Sequence, residues 1–277
     1  MYRGEECQKS AGSSYCAVGR LAVMASWCQV GRDERRATAL RWLGTGMSLR
    51  IDELQAALFG ETASRLSERC GAWMRANERF TLFAEQHRDK IRKKVRGLHG
   101  DEQGLRDLEL ELAVAYRLLG ERRFTLAYEQ YVAEKTRGPD FTVTFKTHTA
   151  FNVEVKRLRS AKGSPGWASA ICDKLRQIPP SMPNVLALGA EASAADALDL
   201  EAVMASIRAS AERKDSGFFA RFGVTSASEF FRYYGRLSAL LAFVPWDSEP
   251  TPRGALWVNP QAKHLLSPEL RNALAAL

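Results

Sequence analysis

Gly138–Arg159 reads GPDFTVTFKTHTAFNVEVKRLR, and its reading decides the fold. Both "DFTVTFK" and "FNVEVKRL" alternate apolar with polar residues, as half-buried strands do, and "THTA" separates them. An antiparallel hairpin turning about His148 brings Asp140 opposite Lys156, with Glu154 one pair further along. Successive strand residues point to opposite faces. Asp140, Glu154 and Lys156 therefore share one face, and Phe141, Val143, Phe145, Val153 and Val155 the other, which is the core face.

Charges in an apolar strand need a reason. Taken singly, Asp140 is a turn residue after Pro139, and Glu154 and Lys156 are a solvated face with a cross-strand ion pair. Those readings leave the convergence of all three unexplained. Two neighbouring carboxylates repel unless a cation compensates, and oxygen-only ligands select a hard ion such as Mg²⁺ or Mn²⁺. A lysine beside them orients a water and stabilises charge on phosphorus. Together these parts suit metal-assisted attack of water on a phosphodiester.

The elements around the hairpin fall into a definite order. "LRDLELELAVAYRLLG" is a helix with an apolar stripe of Leu105, Leu108, Leu112, Ala115 and Leu119, ending at Gly120. "RRFTLAYEQYV" is strand-like, "PGWASAICDKLRQIP" helical, and "NVLALGAE" a buried strand. Pro139–Asp140 followed by Glu154-Val155-Lys156 resembles the PD-(D/E)XK nuclease superfamily, and the element order looks like that family's core of helix, three strands, helix, strand. The resemblance covers roughly residues 101–190.

The resemblance implies a restriction-endonuclease-like α/β fold (an α+β mixed sheet) and an Mg²⁺- or Mn²⁺-dependent nuclease acting on DNA. It implies that Asp140 and Glu154 hold the metal and that Lys156 serves the attacking water. The family commonly adds an acidic residue from the first helix as a further ligand. Glu109 is preferred by its spacing to Gly120, and Glu111 is the alternative. The helix after the ExK strand often supplies a Gln or Lys, so Lys174 and Gln177, one helical turn apart, are auxiliary candidates. Many two-strand cutters of this kind are dimers, which makes a homodimer compatible with the resemblance.

The rest of the chain bounds this reading. Its 277 residues, 45% hydrophobic, can bury a substantial core. Residues 1–100 read as a helical region and 101–277 as the nuclease-like domain. The formal charge of +8 permits a polyanionic partner. "HRDKIRKKVRG" carries six Lys or Arg in eleven residues, either a solvated helix face or a phosphate-contacting patch.

Five dispersed cysteines, Cys7, Cys16, Cys28, Cys70 and Cys172, with no CxxC pair, argue against a disulfide framework or zinc knuckle. With no signal-peptide pattern and no apolar run long enough to span a membrane, a cytoplasmic protein is expected. His87, His99, His148 and His264 lack metal-ligand spacing, and Trp27, Trp42, Trp73 and Trp167 are read as core. Two other functions remain: a catalytically silent scaffold that holds nucleic acid on its basic surface, and an interaction protein working through its helical region.

Overall fold

The computed structural model describes residues 49–60, 64–129, 138–159, 164–191, 199–248 and 254–277. The chain divides into two compact units, Met1–Glu53 and Leu54–Leu277. Of the first unit, only residues 49–53 are described. Cys7, Cys16, Cys28, Trp27, Trp42 and most of the first expected helices lie outside the described residues.

Helix α1 spans 49–59. It is followed by α2 (Arg65–Ala76), α3 (Glu78–Gln86), α4 (Arg88–Gly97) and α5 (Glu102–Gly120). Asn77 both ends α2 and caps α3, its Oδ1 accepting from Arg79 N at 3.0 Å. α2 and α3 pack on α5. Arg79 fastens this layer by donating to the carbonyl oxygens of Leu119 and Glu121, each at 2.8 Å, and to that of Phe124. The first two carbonyls lie at the C-terminal end of α5, where a cation meets orphan acceptors and the negative end of the helix dipole, and the third opens β1.

The sheet has six strands in chain order: β1 (Phe124–Tyr128), β2 (Phe141–Phe145), β3 (Thr149–Arg157), β4 (Asn184–Gly189), β5 (Ala239–Phe243) and β6 (Ala255–Val258). β1, β2 and β3 form an antiparallel meander, β3–β4 and β4–β5 are parallel, and β6 returns antiparallel to β5. The fold class is thus mixed α/β on a mixed sheet. Helices α6 (Ser164–Leu175), α7 (Leu200–Glu212), α8 (Ser216–Phe222) and α9 (Ala227–Tyr234) follow, and α10 (Pro268–Ala275) closes the chain. α10 starts at the expected Ser-Pro pair, with Ser267 capping Leu270 N.

β4 and β5 are buried along their whole length, as strands covered on both faces must be. Leu186, Leu188, Leu240 and Ala242 face a core filled from α6–α9, including Trp167, Ile171, Ile207 and Phe230. α5 lies against β1 and β3. It approaches so closely that a Cβ on Gly189 would stand 2.5 Å from Leu110 Cδ1, so a side chain there would displace Leu110.

The hairpin register differs from the expected one. Phe141 pairs with Val153 and Phe145 with Thr149, so the turn is centred on Thr147 rather than His148. Lys146 adopts φ 57° and donates its N–H to Arg123 O at 2.7 Å, extending the β1–β2 pairing and shortening the turn. Asp140, one step beyond Phe141, consequently comes level with Glu154 and not with Lys156. Phe141, Val143, Phe145 and Val153 are buried as expected, while Val155 is only half-buried.

Candidate metal centre

Asp140 stands where β2 begins and is 5% exposed. β3 continues past the start of β2, so the Val155 amide has no ladder partner there and donates to Asp140 Oδ2 at 2.8 Å. Across the other edge, Glu129 N donates to Asp140 O at 2.9 Å. Glu129 reaches this position with φ 40°, a left-handed conformation that costs a non-glycine residue roughly 1–2 kcal/mol. Lys90 holds the segment, donating to the carbonyl oxygens of Tyr128 at 2.8 Å and Glu129 at 3.0 Å.

Three carboxylates converge here. Glu111 from α5, Glu129 and Asp140 each offer an oxygen within 4.8 Å of the others. Burial, followed by the charges of Glu154 and Glu111, pushes Asp140 up to about 7, with the Val155 N–H and Lys174 only partly opposing them. Burial also raises Glu111 above the usual carboxylate range, although Lys94 acts against it.

Two lysines sit among these acids. Lys94 of α4 lies 2.8 Å from Glu111 Oε1 and 2.5 Å from Glu129 Oε1. Burial works against the Lys94 charge, but Glu111 and Glu129 outweigh it and raise its pKa. Lys174 of α6 pairs with Glu154. Lys156 is half-buried and has no ion-pair partner among the described residues.

Tyr128 completes the floor of the cluster. Its ring lies under the ammonium groups of Lys90 and Lys94, 5.2 and 4.9 Å from the centroid. Its hydroxyl is buried close enough to the Glu111 carboxylate to feel its charge but outside hydrogen-bonding geometry. Burial first, then Glu111, raises its pKa.

Glu109 is not in this cluster. It is 2% exposed and ion-paired with Arg69 at 2.8 Å and Arg65 at 3.3 Å. Arg69 in turn lies over the rings of Trp73 and Trp246. Positions two apart on a helix are about 200° apart around its axis, so Glu109 and Glu111 cannot face the same partner. The helix carboxylate beside Asp140 is Glu111, which corrects the preference for Glu109. Gln177 also stands apart: α6 ends at Leu175, and the exposed Gln177 side chain turns back to Asp173 O.

The sequence reading passed over Glu129, Lys94, Lys90 and Tyr128. Tyr128 pairs with Phe141, so the β1–β2 register carries Glu129 to Asp140. No short turn fixes that register from sequence. Lys90 and Lys94 belong to the basic run, whose inward residues point to the cluster.

Compared with protein-family models, curated proteins and solved structures, the chain matches none.

The donor set fits a hard divalent cation. All its ligands are carboxylate oxygens, their mutual repulsion is incompletely compensated at Asp140, and an orphan hydroxyl adjoins them. A groove of about 320 Å³ between α6, α7 and α8, lined by Ala168, Ser206, Ile207, Phe218 and Arg221, includes none of these acids. The carboxylate cluster, rather than that groove, carries the chemistry that can be named. Among the described residues no helix is long and apolar enough to cross a membrane.

Proposed function

We propose that this chain is a metal-dependent nuclease of the PD-(D/E)XK kind, hydrolysing phosphodiester bonds in DNA. The core would be α5, β1, β2, β3, α6 and β4, in the order helix, three strands, helix, strand. The observation that carries the reading is the Asp140 carboxylate held on the Val155 amide and level with Glu154, with Glu111 and Glu129 closing in from other elements.

In this reading Asp140 and Glu154 would hold Mg²⁺ or Mn²⁺, with Glu111 and Glu129 bordering the site, and the ion would supply Lewis acidity at a phosphoryl oxygen and lower the pKa of water. Asp140 gives up its proton as the site fills. Lys156, which has no internal carboxylate partner among the described residues, faces the substrate side, where it orients the attacking water and stabilises negative charge on phosphorus. Lys174 sets the position of Glu154. The buried free thiols Cys70 and Cys172 fit a reducing, cytoplasmic setting. Cutting two strands would need two such sites, which a homodimer would supply.

A second reading has its own support. Lys94 and Lys174 already neutralise three carboxylates of the site, as a catalytically silent, nucleic-acid-binding relative would tolerate. The two readings separate on incubation with linear, supercoiled and single-stranded DNA and with RNA, in Mg²⁺, Mn²⁺ or EDTA. Metal-dependent cleavage of DNA is expected. Binding without cleavage under every condition selects the silent scaffold.

A further inference from the structure

We propose that Lys94 is the resident cation of the carboxylate cluster, holding Glu111 and Glu129 in the place of a second divalent ion, so that the site takes one metal ion per chain. This rests on the nuclease reading of the same site and deepens it.

Lys94 comes from α4, outside the helix-and-strand core that carries the acids. Its Nζ is 2.8 Å from Glu111 Oε1, 3.1 Å from Glu111 Oε2 and 2.5 Å from Glu129 Oε1, so one ammonium spans two carboxylates. It sits over the Tyr128 ring at 4.9 Å and is 24% exposed, a depth at which the pair is screened far less than a surface ion pair.

Lys90, one turn earlier, ties α4 to the same place through the Tyr128 and Glu129 carbonyls. α4 is thus anchored twice at the cluster. An ion placed among Asp140, Glu154 and the Tyr128 hydroxyl would face the ammonium across the shared acids. A second ion near Glu111 and Glu129 would have to expel it. It would compete with the ammonium for the same carboxylate oxygens, and the lysine is covalently part of the fold.

Lys94 is a positioning residue in this scheme. It sets where Glu111 and Glu129 point and how many ions enter.

Titrating metal-free protein with Mn²⁺, counting bound ions by the fall of the free-ion electron paramagnetic resonance signal, tests this directly. Wild type should bind one Mn²⁺ per chain and Lys94→Met two, whereas Lys90→Met should stay at one. Two ions in wild type, or one in Lys94→Met with unchanged affinity, would overturn the proposal and leave the nuclease reading standing. No Mn²⁺ binding by either protein would remove both.

Unaltered protein offers an independent check should Lys94→Met fail to fold. The ¹⁵Nζ resonance of Lys94, assigned with Lys94→Arg, should stay in its ion-paired position at Mg²⁺ saturation. Its move to a solvated position would overturn the proposal.

Discussion

Glu109 and Glu111 stand two residues apart on α5 and meet opposite partners: Glu109 is locked to Arg69, and Glu111 to Lys94 beside Asp140. The same residue type on one helix thereby gains an arginine partner on one side and, in the proposed function, a place at the metal site on the other. The two should separate by substitution. Glu109→Ala breaks the buried ion pair with the Arg69 guanidinium, 10% exposed, at a cost of about 3–5 kcal/mol in urea unfolding. Glu111→Gln should lower metal affinity with a smaller effect on unfolding. Equal destabilisation by both would remove the distinction.

Asp140 makes the metal-free protein sensitive to pH. Its carboxyl is raised from an ordinary value of 3.8 to about 7, so the native state holds this proton more tightly than the unfolded chain. The resulting stability is fully present below the unfolded pKa and is lost as pH rises through about 7. Three pH units correspond to at most roughly 4 kcal/mol. In EDTA, unfolding free energy should fall between pH 5 and pH 8, and Asp140→Asn should flatten that fall. An unchanged slope in the variant would assign the effect elsewhere.

Tyr128 carries a buried hydroxyl with no hydrogen bond among the described residues. Removing it relieves an unsatisfied polar group, so Tyr128→Phe should stabilise the metal-free protein by about 1 kcal/mol. The same variant should bind Mn²⁺ more weakly, because the hydroxyl no longer reaches water on the ion. Destabilisation in EDTA would show that the hydroxyl bonds Glu111 in solution.

In the proposed function the outer face of α4 would meet phosphate. Arg88, Lys93 and Arg96 are exposed, and neither Lys93 nor Arg96 has a carboxylate partner among the described residues. Arg88 shares Asp89 with Arg92. Lys93→Ala with Arg96→Ala should weaken DNA binding in EDTA, and the slope of log affinity against log salt should fall by about one for each phosphate that is no longer neutralised. Unaltered affinity and slope would return this face to solvent.

Much of this fold was legible in the sequence because the hairpin stretch alternates cleanly and its neighbours are long periodic helices or a wholly apolar strand. β1–β3, α5, α6 and β4 were all anticipated. The pairing was missed by one step at the turn, because the left-handed Lys146 shortens it and no glycine marks that conformation. Asp140 and Glu154, which come level on β2 and β3, were picked out from strand spacing. Glu129 and Lys94 were not, because the β1–β2 connection is long and the basic run gives no sign of which lysine faces inward. The choice between Glu109 and Glu111 turned on Arg69, whose pairing follows from the docking of α2 on α5 and not from local spacing.

The most direct measurement is cleavage of supercoiled and linear DNA in Mg²⁺ and in EDTA by wild type and Lys156→Ala, with Mn²⁺ binding and melting temperature followed on the same samples. Lys156 is half-buried and makes no ion pair among the described residues, so its removal should spare both the fold and metal binding. Mg²⁺-dependent cleavage by wild type, reduced at least a hundredfold (about 2.7 kcal/mol in transition-state stabilisation) in a folded, metal-binding Lys156→Ala, is the predicted result. Undiminished cleavage in Lys156→Ala, or none by wild type with any divalent ion, would contradict it.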